Sequence, residues 1–124
     1  MDKREPSPPT DPLTTLRDEL RRFAADRDWD QFHSPKNLAS ALAVEAAELL
    51  EPFQWLTEAQ SRQLTAEQSA AVREEMADVL LYLIRLADKL DIDLVAAARD
   101  KIVCNAVRYP VEQARGSSKK YTDL

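Results

Sequence analysis

Four carboxylates stand at matched spacings in two otherwise apolar stretches. In LAVEAAELL, Glu45 and Glu48 interrupt residues suited to the buried face of a helix, and in EEMADVLLYL, Glu75 and Asp78 repeat the same three-residue spacing. Helical positions three apart lie about 60° apart around the axis and roughly 5–6 Å from each other, so each pair presents two acids to one side. Two such helices side by side gather four acids. Like charges at close range raise one another's pKa, and partial burial adds a desolvation cost, so the arrangement calls for a cation. The plainer account of E-x-x-E is a solvated face held by ion pairs within its own helix. Against it, no Lys or Arg stands between Ala39 and Gln54 to pair with Glu45 or Glu48.

The donor set limits the metal. Carboxylates without Cys or His beside them are hard oxygen ligands, suited to Mg2+, with Mn2+ as the alternative, and not to zinc. A di-iron bundle would need Glu-x-x-His, whereas the single histidine, His33, falls outside the expected helices. Mg2+ keeps several waters and binds phosphate oxygens together with one or two carboxylates, so the expected substrate is a phosphate ester or anhydride.

These acids need helices to position them, and the composition supplies little else. One glycine, Gly116, cannot serve the tight hairpins or Gly-rich phosphate loops of other fold classes, so the chain is expected to be all-α. Asp11 and Pro12 open a first helix through Leu13, Leu16, Leu20 and Phe23 to about residue 26. Ser34 and Pro35 open a second, over about 35–51, that carries Glu45 and Glu48 and stops at Pro52. Thr57 to Gln60 and Thr65 to Gln68 both fit the capping box, so a short helical turn should precede a third helix over about 66–90. There Val72, Met76, Val79, Leu80, Leu83, Leu86 and Leu90 form the expected core face, bordered by a stripe of Glu75, Asp78 and Tyr82. Asp91 to Asp93 turns the chain into a fourth helix that ends near Tyr109, before Pro110. Its Lys101, Asn105 and Arg108 follow i, i+4, i+7 and give a cationic, amide-bearing face fit for phosphate, although cations near a helix C-terminus also suit the macrodipole.

Between the first two helices, RDWDQFHSPKN gathers Trp29, Phe32 and His33. The aromatic rings either staple the two helices together or form a shelf for a flat base. Residues 1–10, with three prolines, read as a disordered lead, 11–110 as the helical catalytic domain, and 111–124 as a tail that is either solvated or a flap offering Lys119, Lys120 or Tyr121 to a neighbouring site.

At 124 residues the chain suits one domain, and its net charge of -5 argues against binding a nucleic-acid polymer. No signal peptide or membrane-spanning apolar run is present, and the lone Cys104 suits a reducing compartment, so the expected location is cytoplasmic.

Taken in order, RDWDQFHSPKNL, EPFQW, EEMADVLLYL, the K-x-x-x-N-x-x-R-Y-P run from Lys101 to Pro110, and RGSSKKYTDL resemble the all-α, MazG-like nucleoside triphosphate pyrophosphatases, in particular their dCTP pyrophosphatase branch. The resemblance covers about residues 13–124. It implies a four-helix bundle, assembled as a dimer or a dimer of dimers (a homotetramer) with sites between subunits. It further implies hydrolysis between the α and β phosphates, with Mg2+ held by Glu45, Glu48, Glu75 and Asp78. Carried over by motif, Trp29, His33 and Trp55 would line the base pocket with Asn37 near its rim, and Lys101, Asn105, Arg108 and Tyr109 would face the phosphates. The helical histidine with which eukaryotic members of the branch read cytosine aligns with Leu20, which leaves dCTP and a modified pyrimidine both open as substrate. The alternatives are a relative acting on dUTP or phosphoribosyl-ATP, and a helical interaction module without catalysis.

Overall fold

Helix starts are encoded locally. Asp11, Ser34, Thr57, Thr65 and Asp93 each sit in extended backbone, and each side chain accepts a hydrogen bond from the backbone N–H three residues on. Each such cap stabilises its helix by about 1 kcal/mol. At Thr57 and Thr65 the expected capping boxes are complete, because Gln60 and Gln68 reach back to the cap N–H. The resulting elements, in a computed structural model that describes residues 11–124, are α1 (Pro12–Asp26), α2 (Pro35–Leu50), α3 (Glu58–Ser61), α4 (Ala66–Lys89), α5 (Leu94–Arg108) and α6 (Val111–Ala114). Short 3-10 turns cover Asp30–Phe32 and Tyr121–Asp123, and there is no strand among the described residues. The all-α expectation holds, while the lead expected at 1–10 lies outside the described residues.

With no glycine available in its helical part, the chain uses aspartate to stop helices. Asp28 (φ 55°), beyond α1, and Asp91 (φ 54°), beyond α4, adopt the left-handed conformation. Short polar side chains that bond locally visit this region more readily than other residues.

The chain divides into one unit ending at Asp91 and a second spanning Ile92–Leu124. In the first, α4 packs extensively along α2 and more briefly on α1. Its enclosed residues are Ala24 of α1, Leu38 of α2, and Ile84, Arg85 and Ala87 of α4.

The expected core face of α4 needs correction. Val72, Val79 and Leu86 are half-buried, but Met76, Leu80, Leu83 and Leu90 are 57%, 38%, 36% and 49% exposed. Periodicity identified an apolar stripe, but α1 and α2 cover a different arc of the helix. The exposed Met76, Leu80 and Leu83 follow one another in steps of four and three, the spacing of a helix–helix seam, and Leu90 lies two turns beyond Leu83.

In the second unit, α5 exposes Ile102, Val103 and Val107. Gly116 (φ 75°) turns the chain in the left-handed region, and the tail returns to the end of α5. There the Tyr121 ring meets Tyr109 edge-on at 6.0 Å and lies 4.9 Å from the Arg108 guanidinium. No described helix is long and apolar enough to cross a membrane.

Candidate metal centre and adjoining cavity

The packing of α2 on α4 converges the acids. Glu45, Glu48 and Glu75 each offer one oxygen to a group whose members all lie within 4.8 Å of one another. Glu45 and Glu75 each also enclose their Oε2 without any hydrogen-bond partner. The Glu45 carboxyl is pushed up to about 7, first by the hydrogen bond it shares with Glu48, then by desolvation, by the Glu48 charge and by Glu75, with the charge of Asp78 adding to them. Glu75 is also raised, chiefly by burial; the hydrogen bond to Glu45 opposes that shift, and the charges of Glu48 and Asp78 reinforce it.

Enclosed carboxylate oxygens without donors are costly, and a cation among them removes both the repulsion and the orphaned lone pairs. This all-oxygen set fits a hard divalent ion. Asp78, one turn beyond Glu75, acts on Glu45 through its charge and also lines a cavity next to the cluster.

That cavity has a volume of about 220 Å³. Leu20, Phe23 and Ala24 of α1 form one wall, Trp29 and His33 of the connection another, and Asp78, Leu81, Tyr82 and Arg85 of α4 the third. Trp29 stands edge-on to Phe23 at 5.7 Å and to His33 at 6.4 Å, and is 44% exposed. Trp29 thus both packs against α1 through Phe23, as a staple would, and lines the cavity, as a shelf would. Phe32 is 60% exposed and takes no part in the cavity wall.

Behind the cavity lies a charge network that sequence reasoning missed. Arg85, 6% exposed, donates from Nε to His33 Nδ1 (3.1 Å) and from its terminal nitrogens to Asp30 (2.6 Å) and Asp88 (3.4 Å). Asp88 also accepts a fork from Arg21 at 2.8 and 2.5 Å, and Asp30 accepts from Lys89. The Arg21 fork holds the Asp88 carboxyl below its usual range, and Lys89 does the same for Asp30, with Arg85 assisting at both. His33 is pushed down, first by burial and then by the Arg85 and Lys89 charges. The one signal in the sequence was Arg85, Asp88 and Lys89 at i, i+3, i+4. Their partners on α1 and the connection lie 52 to 67 residues away, beyond the reach of local pattern.

The structure thus brings together Glu45, Glu48 and Glu75, leaves Asp78 exposed outside that group on the wall of the adjoining cavity, and sets Trp29, His33 and Tyr82 around the same cavity. Two other expected site residues fall outside its wall. The Asn37 amide donates to the Phe32 carbonyl (3.0 Å) and braces the connection, and Trp55, after α2, is 86% exposed. Lys101, Asn105 and Arg108 are exposed on α5 of the second unit, with Tyr109 half-buried at its end.

Known proteins resemble this chain in sequence and in fold. A sequence model of the MazG-like family matches residues 41–124, a span that includes all four acids. dCTP pyrophosphatase 1 of Rattus norvegicus is 47% identical over 119 residues, which cover 91% of this chain and 69% of the relative. The Homo sapiens dCTP pyrophosphatase 1 is 46% identical over the same length and coverage. A solved pyrophosphatase from Archaeoglobus fulgidus is 36% identical and superimposes with a TM-score of 0.78, covering 86% of this chain and 99% of that one. With the family match spanning residues 41–124 and the relatives this similar in sequence and fold, the chain belongs to the MazG-like family.

Proposed function

We propose that the chain is a nucleoside triphosphate pyrophosphohydrolase that converts a pyrimidine deoxynucleotide, dCTP or a modified relative, to its monophosphate and pyrophosphate. The observation that carries this reading is the junction at Asp78, where a carboxylate cluster with two orphaned oxygens meets a ring-walled cavity. The relatives named dCTP pyrophosphatase 1 support the same chemistry.

In this reading Glu45, Glu48, Glu75 and Asp78 hold Mg2+, for which Mn2+ can substitute. When bound, the ion neutralises phosphate oxygens and makes water a stronger nucleophile. A carboxylate of the set that keeps a free oxygen takes the proton of the water as it attacks the α-phosphorus, and the bond from that phosphorus to the α–β bridging oxygen breaks, so that pyrophosphate leaves with that oxygen. Trp29, His33 and Tyr82 hold the base. A cavity of about 220 Å³ has room for a nucleobase. For the phosphates, the family resemblance offers Lys101 and Arg108 as cations and Asn105 and Tyr109 as hydrogen-bonding groups.

Assembly completes the proposal. The uncovered stripe of Met76, Leu80, Leu83 and Leu90 suits a second copy of the chain, in a homodimer or homotetramer. Trp55, exposed and outside the cavity of its own chain, suits a ring supplied to a neighbour's site, with Asn37 at the rim. The protein acts on free nucleotides in the cytoplasm, without a membrane or nucleic-acid polymer as partner.

The test is pyrophosphate release from dCTP, 5-substituted dCTP, dUTP and phosphoribosyl-ATP with Mg2+. Glu45→Gln and Asp78→Asn should abolish release while far-UV circular dichroism stays unchanged. Full turnover in both variants would reject the proposal, and preference for dUTP or phosphoribosyl-ATP would reassign the substrate.

A further inference from the structure

His33 is the single histidine of the chain. A neutral imidazole carries its proton on one of two nitrogens, and the hydrogen bond made at one of them decides which. Arg85 supplies that bond. A guanidinium has donors and no acceptor, so where Arg85 Nε meets His33 Nδ1 at 3.1 Å the ring nitrogen must accept. The ring proton then resides on Nε2, for which the structure records no protein partner among the described residues.

We infer that Arg85 is a positioning residue for base recognition: it fixes His33 as an Nε2–H donor, so that the cavity selects a base offering a carbonyl oxygen or a ring-nitrogen lone pair at that point. The inference rests on reading the cavity as the base pocket. Its geometric basis is the bracing of Arg85 itself. The guanidinium is enclosed and held by Asp30 and Asp88, each of which is tied by a second cation, Lys89 and Arg21 respectively. Its fork therefore has little freedom to turn away from the imidazole. Burial and the flanking Arg85 and Lys89 charges also disfavour the doubly protonated ring, which could not accept from Arg85. A donor fixed in this way discriminates strongly, because a base presenting its own N–H there would leave two donors facing each other.

The tautomer can be read directly. With one histidine, long-range 15N–1H spectra give a single pair of ring-nitrogen signals. In the wild-type protein the expected result is one tautomer, with the proton on Nε2 and Nδ1 unprotonated. A proton on Nδ1, or an exchange average of the two forms, overturns the inference without any variant being made. In Arg85→Met, Asp30 keeps Lys89 and Asp88 keeps Arg21, so neither carboxylate loses its last cation. There His33 should become an exchange average and the KM for dCTP should rise about tenfold, the worth of one good hydrogen bond. The kcat should stay within about twofold. An unchanged tautomer in Arg85→Met, or equal losses in kcat and KM, would assign Arg85 a structural role instead. Failure of the wild-type protein to release pyrophosphate from any triphosphate would reject the pocket reading, and the spectra would still report whether Arg85 sets the ring proton.

Discussion

Replacing Asp88 with alanine tests whether the network behind the cavity holds the fold. The Asp88 side chain is 10% exposed and accepts hydrogen bonds from Arg21 at 2.8 and 2.5 Å and from Arg85 at 3.4 Å. An exposed ion pair is worth about 0–1 kcal/mol, whereas orphaning a buried charge costs about 3–5 kcal/mol. Asp88→Ala falls between these limits. It removes a part-buried acceptor of charged hydrogen bonds, but Arg85 keeps Asp30 and His33, and Arg21, half exposed, turns to water. The expected loss is about 2 kcal/mol. For a domain of this size it lowers Tm by about 6–10 °C. Urea and thermal unfolding followed by circular dichroism measure it, with Arg21→Ala as comparison. That change leaves Asp88 bonded to Arg85 and should cost less. A wild-type melting temperature in Asp88→Ala, or a larger loss in Arg21→Ala, would refute the ranking by burial.

Other outcomes follow from the same groups. Because Asp30 and Asp88 titrate below their unfolded value of about 3.9, they stabilise the fold above that pH and lose this effect as pH falls through their folded values. Wild-type stability should therefore drop below about pH 4, and Asp88→Ala should flatten the drop in acid unfolding curves. Mg2+ should raise the Tm of the wild-type protein, and Glu45→Gln, which removes a charge from the crowded cluster, should raise Tm in chelator and abolish that Mg2+ effect; a lower Tm in chelator would contradict the repulsion argued for the cluster. Leu83→Glu places a charge on the uncovered stripe of α4 and should reduce the mass seen by light scattering to that of one chain, and an unchanged mass would place any interface elsewhere.

What the sequence disclosed depended on distance along the chain. Caps at Ser34, Thr65 and Asp93 act within three residues, and they set the observed helix starts. The acid pairs were legible for the same reason, since Glu45 with Glu48 and Glu75 with Asp78 each lie one turn apart. Their convergence needed the packing of α2 on α4. Arg85 escaped notice because an arginine in an apolar run resembles a surface residue until Asp30, His33 and Asp88 close around it. Met76 and Leu83 show the opposite limit: periodicity names an apolar face without naming what covers it. Trp55 was assigned to the pocket by resemblance, and a single chain leaves it in solvent.

The 24-residue α4 contains neither glycine nor proline. Asp78 at the acid cluster and Arg85 behind the cavity are two turns apart, about 10 Å along the axis. One rod thus carries both chemistries at a fixed offset. The two meet at Asp78, which lines the cavity beside Tyr82 and Arg85. With the cavity as the proposed base pocket, substitutions around Tyr82 and Arg85 would retune which base is admitted while Glu75 stays in register with α2. A lineage built on such a rod can change the nucleotides it destroys without having to reinvent how it destroys them.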